Sequence, residues 1–485
     1  MSPTTSANEH RQQLQAYGTP LVEYHDHGTV RWKNGTSKEL AFEAGQFPGG
    51  KIIVAGRYQD FDLTFLFGGG GTEPEVEEFS GVTTEGWKLR SVGRLTSTNY
   101  LPRTREEGSY DAFRLNQLEC ERLPDAAAID EYRFGLVNFR CEGNRPVAVQ
   151  RSRGMHYLRG LAVSLKFGGA SVGGAIVPVK ESDDLHRRMI TDKSCAVLAE
   201  LIVPASATQN REELRNAVGD LCTVLSVMRG TKVQWIYCHE WASGIVRTSH
   251  RAGITKAYSP LAPIDSGHDS ALAASEFIDR GLAALASSPI LGQDRAVVDA
   301  YLDAKVEHDF LETRASKIAL AIEKLKHTFL RSGVSDVGEY VVPDATFQPL
   351  VADIVKAIRP ILENAGIPAD KVAMIVSEGK VRGLNRAAFR GIVKALCRHA
   401  SLTVPSKEIE LFILCRDYLV HTGQFYCQGG TAEEWADVPP AATPLEEFWF
   451  LISFLDRVFL KLFGYSGDYF DWRDFPQEDK RRHLA

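Results

Sequence analysis

In residues 411–425, LFILCRDYLVHTGQF, an arginine, an aspartate and a histidine interrupt a strongly apolar run. The apolar flanks bury most of a helix here, so each polar group must find a partner or face a cleft or an interface. Gly423 can take the left-handed conformation that closes a helix, which predicts a helix over 406–422 with His421 in its last turn. The helix dipole favours a positive imidazole at that end. Asp417 and His421 are four apart and share a face, which predicts a hydrogen bond from the imidazole to the carboxylate. Arg416, five before His421, lies about 140° around an ideal helix, so its long side chain or a bend must close that angle.

Outward from this stretch the chain stays helical. Helices are predicted over 294–332, 346–364, 384–400 and 444–463, separated by Gly, Pro and Ser in RSGVSDVGEYVVPD and SLTVPS. Apolar stripes such as Ile318, Ala321, Ile322 and Leu325, or Phe448, Leu451, Ile452 and Leu455, describe an antiparallel bundle from 291 to 485. Before it the signal changes to period-two alternation, as in KIIVAG, FDLTFLFGG, YRFGLVNFRCEGN and RGLAVSLKFGG, which predicts a sandwich or a curled sheet over 20–290. Glu142, Gly143 and Asn144 suit a hairpin turn. AVLAELIVP, the amphipathic helix 211–230 and TKVQWIYCHEW make a small α/β unit at about 196–245. A helix at 272–287 precedes the main boundary near 290, and residues 1–19 read as a loosely ordered cytoplasmic N-terminus without a secretory signal. The fold class is α+β and multidomain, as expected for 485 residues when one core stops growing at about 250–300.

Composition narrows the function classes. Hydrophobic residues make up 44% and charged residues 24%, and no apolar run reaches the roughly 20 residues of a membrane span. The net charge of −6 argues against indiscriminate coating of nucleic acid, so any RNA contact must come from a local basic patch. Eight cysteines without a CxxC pair offer neither a zinc nor a redox motif. No metal and no cofactor is expected.

RDYLVHTG resembles the signature of the HEPN family: an arginine, a polar residue, a short spacer, then a histidine near the end of a bundle helix. Asp417 stands where that family often has asparagine. A long first helix with FLETRASKIALAIEKL upstream and an aromatic-rich helix ending LFGYSGDY downstream are similar to the Apea type of HEPN domain, over roughly the last 195 residues. The β-rich region resembles, more loosely, the N-terminal domain found with it. The resemblance implies metal-independent endoribonuclease activity on cellular RNA such as tRNA, in prokaryotic antiphage defence by abortive infection. It also implies a homodimer or a higher even-numbered oligomer whose paired Arg416 and His421 line a shared cleft, with a phage-derived trigger or inhibitor protein as a further partner. An imidazole moves protons near neutrality and a guanidinium offers a permanently charged fork to phosphate, so both residue types suit that chemistry. Glu312, Arg314 and Glu323 on the first helix are candidates for supporting the cleft. The rival reading is a non-catalytic bundle for dimerisation or RNA binding, with a ligand- or protein-binding N-terminal region.

Weaker patterns complete the reading. Arg386, Arg390, Lys394 and Arg398 are four apart and predict a basic stripe on the helix at 384–400, which either holds RNA or is simply solvated. GASVG (169–173) matches a nucleophile elbow at Ser171, but a strand-like AIVPV follows where a helix is required. LFGGGGT (66–72) lacks the ending of a phosphate-binding loop. His25 and His27 around Asp26, and the adjacent Cys238, His239 and Glu240, lack the further ligands of a metal site and read as structural or solvated.

Overall fold

The computed structural model describes residues 19–58, 76–97, 110–122, 129–141, 145–151, 154–167, 170–205, 210–242, 244–253, 258–264, 271–292, 294–306, 309–335, 337–429, 441–474 and 481–484. The strand-like FDLTFLFGG, the LFGGGGT stretch, the turn at Glu142, Gly143 and Asn144, and the N-terminal segment up to residue 18 lie outside the described residues. The chain forms two compact units, 1–282 with 306–308, and 283–305 with 309–485.

The first unit begins with β1 (Val22–Trp32), β2 (Ser37–Gln46), β3 (Ile52–Tyr58), β4 (Val76–Val82), β5 (Trp87–Ser97) and β6 (Tyr110–Arg122). They pair antiparallel in the order β3-β2-β1-β4-β5-β6, and β3 also pairs with β6, so the sheet curls fully into a six-stranded barrel. Alternation supplies its interior: Tyr24, Val30, Leu40, Phe42, Phe79 and Leu115 are among the side chains buried in one cluster. Phe42 meets Phe79 edge-on at 5.1 Å. Gly28 and Gly81 face each other across β1 and β4. A Cβ on Gly28 would lie 2.5 Å from a backbone oxygen, and one on Gly81 would lie 2.6 Å from the Phe42 ring. Both positions therefore need glycine for the barrel to close around that ring.

The sheet continues beyond the barrel through β7 (Glu131–Val137), β8 (Arg145–Arg151), β9 (Gly154–Phe167), β10 (Ala170–Pro178), β11 (Val197–Pro204), β12 (Gln234–Trp241) and β13 (Ile245–Arg251). Past β6 the order is β13-β12-β7-β11-β10-β9-β8. The predicted α/β unit is here: β11, helix α2 (Arg211–Arg229) and β12, after an unanticipated short helix α1 (Ser182–Thr191). Both strands run antiparallel to β7, one on each side, so α2 links a parallel pair across an inserted strand. Asn210 caps α2 by accepting from the Glu212 and Glu213 amides, and Gly230 at φ 61° closes it.

Where β13 pairs with β6 at the side of the barrel, His250 is buried, with Nδ1 2.8 Å from Gln46 Oε1 and Nε2 3.1 Å from the Tyr24 hydroxyl. Burial, with a smaller push from His239, holds its pKa down to about 3, against the ordinary 6.5. Between those values the unfolded chain binds the extra proton. Stability from the neutral ring is thus full above about pH 6.5 and is lost as the pH falls towards about 3. Denaturant unfolding at about pH 7 and about pH 5 should show a loss that His250→Gln lessens by up to about 1.4 kcal/mol per pH unit. An equal pH slope in both proteins would contradict this.

Helix α3 (Ala271–Ser287) crosses into the second unit, which holds α4 (Ala296–Asp303), α5 (Leu311–Arg331), α6 (Asp344–Asn364), α7 (Ala369–Ile375), α8 (Glu378–Gly383), α9 (Phe389–His399), α10 (Ser406–Thr422), α11 (Tyr426–Gly429) and α12 (Pro444–Leu462). A small hairpin, β14 (Gly467–Phe470) and β15 (Arg481–Leu484), ends the chain. The single helix expected over 294–332 is two. Lys305, just past α4, turns into the core to meet Asp456 at 2.6 Å, and Asp309 binds Lys317. These side-chain ties hold the chain on either side of the break between α4 and α5. The helix expected from 384 starts only at Phe389. Asn385 is buried and brackets Val342 with Nδ2 to its carbonyl at 2.8 Å and Oδ1 from its amide at 2.9 Å, holding 385–387 extended against 339–342. Among the described residues no helix is long and apolar enough to cross a membrane.

Candidate active site

Helix α10 buries Ile409, Phe412, Cys415 and Leu419 on one face, with Phe412 stacked on Phe454 of α12 at 4.1 Å. Gly423 at φ 72° closes it and donates its N–H to the Leu419 carbonyl at 2.9 Å, as its sequence predicts. This seating puts Arg416 beside the core face and His421 on the outer face of the last turn.

Arg416 is held from three sides, with 15% of its side chain exposed. One terminal nitrogen binds the Glu323 carboxylate on α5, the other binds Asp417 at 2.5 Å, and the guanidinium lies 4.7 Å from the Phe389 ring centre. Lys326 joins Glu323 at 2.5 Å and lies 5.3 Å from the same ring. Two cations, two carboxylates and one aromatic face therefore form a compact charged cluster where α5, α9 and α10 meet. His421 is exposed and has no hydrogen-bond partner among the described residues. The hydrogen bond expected between Asp417 and His421 is not formed. Asp417 accepts from Arg416 instead, in a charge-assisted bond to the adjacent permanent cation.

Of the proposed supports, the structure brings Glu323 to Arg416 and leaves the other two apart. Glu312 and Arg314 precede Glu323 by about 16 and about 13 Å along α5. Glu312 is exposed, and Arg314 packs over the Phe448 ring at 4.4 Å. The basic stripe is shorter than expected, since Arg386 sits in the extended segment before α9, bridged to Tyr340. Arg390, Lys394 and Arg398 remain four apart on the helix, with Arg390 paired to Glu410 of α10.

Glu447 was missed from sequence. It is fully buried at the start of α12, and its two oxygens accept the Tyr426 amide at 3.0 Å and the Cys427 amide at 2.9 Å. One carboxylate thus fixes the turn that follows His421. Burial pushes the neighbouring Cys427 thiol up to about 12, with Glu447 adding to the rise, so that sulfur stays protonated. A signal was present: Glu447 falls on the same stripe as Phe448, Leu451 and Leu455, and a charge on a buried stripe must have partners. Glu447→Ala should cost about 2–4 kcal/mol by stranding two amides. Chemical denaturation checks this, and unchanged stability would contradict it.

The remaining patterns resolve as structural. Ser171 lies inside β10, opposite Lys166 of β9, with its hydroxyl 2.6 Å from that of Ser164, so no elbow exists. The His27 Nδ1 is 2.9 Å from Asp26, whose other oxygen accepts the Thr84 amide at 2.7 Å. Cys238 is buried, His239 contacts Thr248 at 2.9 Å, and Glu240 binds Arg211 and Arg247. No cluster of three or more His, Cys, Asp or Glu suited to a metal ion occurs among the described residues. Comparison with protein-family models, with curated proteins and with solved structures found no match to this chain.

Proposed function

We propose that this chain is a metal-independent endoribonuclease of the HEPN type, acting on cellular RNA such as tRNA in antiphage defence by abortive infection. The observation that carries the reading is an exposed imidazole, without a hydrogen-bond partner among the described residues, at the end of a bundle helix, little more than one turn after an anchored guanidinium. In the reaction a ribose 2′-hydroxyl attacks the adjacent phosphorus, the bond from phosphorus to the 5′-oxygen breaks, and a cyclic phosphate and a 5′-hydroxyl result. His421 takes the attacking proton or supplies the leaving one. Arg416 meets the charge that builds on the phosphate. Glu323 and Phe389 keep the guanidinium in place, while Asp417, about half exposed, is the partner that a phosphate oxygen displaces.

One imidazole per chain supplies one of the two proton transfers, which favours a shared cleft between two copies. Exposed apolar side chains support such an association: Leu414 and Val420 flank Asp417 and His421 on α10, and Leu320 precedes Glu323 by one turn. The test is incubation of RNA with purified protein in excess EDTA, alongside its solution mass. Cutting by an even-numbered oligomer is expected, and loss of cutting in EDTA would refute the reading. The pairing of Arg416 with two carboxylates favours a second reading, a non-catalytic dimerisation or RNA-binding bundle. That account predicts RNA binding without cleavage.

A further inference from the structure

Three helices of the second unit end against one cavity of about 360 Å³, whose lining lies between residues 284 and 466. Helix α3 ends at Ser287, α9 ends at His399, and Lys461 lies in the last turn of α12. Closing turns occupy the carbonyls at two of these ends. Those of Leu460 and Lys461 accept the Tyr465 and Gly464 amides at 3.0 and 2.9 Å, and those of Cys397 and Arg398 accept the Leu402 and Ser401 amides at 2.8 and 2.9 Å. Side chains therefore set the character of the lining. The volume falls at the lower end of the roughly 300–1,000 Å³ of small-molecule sites, which limits the size of an occupant.

Lys461 and His399 are both bases, and no aspartate or glutamate lines the cavity among the described residues. Each base sits in the last turn of its helix, where positive charge is held best. His399 is exposed, its ring lies 5.6 Å from that of Phe329, and it has no hydrogen-bond partner among the described residues. Hydroxyls complete the set. Ser288 Oγ accepts the Ile290 and Leu291 amides at 3.3 and 3.2 Å, which leaves its hydrogen for an acceptor elsewhere. Ser401 stands at φ 54°, a left-handed position that α10 and α12 give to Gly423 and Gly464. A serine there is strained where a glycine would not be, so the wall of the cavity carries a hydroxyl at some loss of stability.

We propose that this cavity binds the phosphate of a small phosphomonoester, with Lys461 and His399 meeting its charge and the Ser288 and Ser401 hydroxyls donating to its oxygens. Two bases and two hydroxyls match a group with three terminal oxygens and a charge of about −2 better than a carboxylate with two oxygens and a single charge. A cation would meet Lys461 with no carboxylate in the lining to offset the repulsion. The length of α9, about 15 Å, separates His399 from Phe389 beside Arg416, so this inference does not depend on the nuclease reading.

The experiment is isothermal titration calorimetry of the full chain with glycerol 3-phosphate, inorganic phosphate and acetate. Saturable binding of glycerol 3-phosphate, tighter than that of acetate, is expected. Lys461→Met should weaken it about 10-fold or more, as befits a lost bond to a charged group, and Ser401→Gly about 3- to 10-fold. Glycine suits the left-handed position, so Ser401→Gly should melt close to wild type, and its loss of binding is then separate from any loss of folding. Should Lys461→Met fold poorly, Ser401→Gly carries the test alone. Inorganic phosphate bound more weakly than the ester assigns the rest of the cavity to the ester's carbon chain, and equal binding assigns the site to the phosphate group by itself; both support a phosphate site. No binding of either phosphate with Kd below about 1 mM, acetate bound as tightly as they are, or phosphate binding that Ser401→Gly leaves unchanged overturns the proposal.

Discussion

Replacing His421 by alanine should slow RNA cleavage by about 10²- to 10⁴-fold, the usual contribution of a positioned general acid or base. The fold should not notice. His421 is exposed and has no hydrogen-bond partner among the described residues, so unfolding should stay within about 0.5 kcal/mol of wild type. That separation of activity from stability distinguishes a residue kept for chemistry from one kept for packing. Arg416→Lys should also lose about 10²-fold or more, because an ammonium cannot hold Glu323 and a phosphate oxygen with one planar fork. RNA cleavage by His421→Ala at the wild-type rate would remove the catalytic assignment. Failure of both variants to change activity would leave Arg416 as a strut between α5 and α10.

The largest expected effect on stability lies in the core of the bundle. Lys305 and Asp456 are both fully buried, 2.6 Å apart, and the Tyr301 hydroxyl donates to the same Asp456 oxygen at 2.5 Å. Burial lowers the pKa of the lysine and raises that of the aspartate, which marks how much solvation both surrendered. Asp456→Ala leaves the buried lysine without its counter-charge and should cost about 3–5 kcal/mol. The sign of its pH dependence follows. In that variant burial still lowers the Lys305 pKa but Asp456 no longer raises it, while the unfolded chain keeps its proton up to about pH 10.4, so part of the lost stability should return as the pH rises. The double variant Lys305→Met with Asp456→Leu should recover most of the loss or exceed wild type, since well-packed apolar replacements often equal a buried pair. Denaturant unfolding compares the three, and a double variant as unstable as the single one would contradict this account.

Both bounds of α10 were legible, because Gly423 and the proline at 405 are local signals that tertiary contacts did not need to overrule. The same holds for the end of α2 at Gly230. What escaped was set by distant partners. Alternation assigns a strand's two faces but not its neighbour, so the closure of β3 onto β6 could not be read and a sandwich remained open beside a curled sheet. Helices α7 and α8 were missed because they are one to two turns long and bury little more than Val372 and Val381. Asn385 looks like any polar residue in a helix until Val342 is placed beside it.

At the candidate site Glu323 was named, with Glu312 and Arg314, only through the family resemblance, and of the three the structure brings Glu323 alone to Arg416. The choice of Asp417 between Arg416 and His421 could not be read from spacing, since both neighbours lie within about a turn of it on the same helix. Phe389 was hidden for a different reason. Its role under Arg416 requires α9 to begin there and not five residues earlier.

The most direct test is the chemistry of the RNA ends left by wild-type protein in EDTA, set beside those from His421→Ala. The account predicts fragments ending in a cyclic phosphate and beginning with a 5′-hydroxyl, made by the wild type and nearly absent with the variant. Equal amounts of such ends from both proteins, or fragments with other ends that vanish in EDTA, would contradict it.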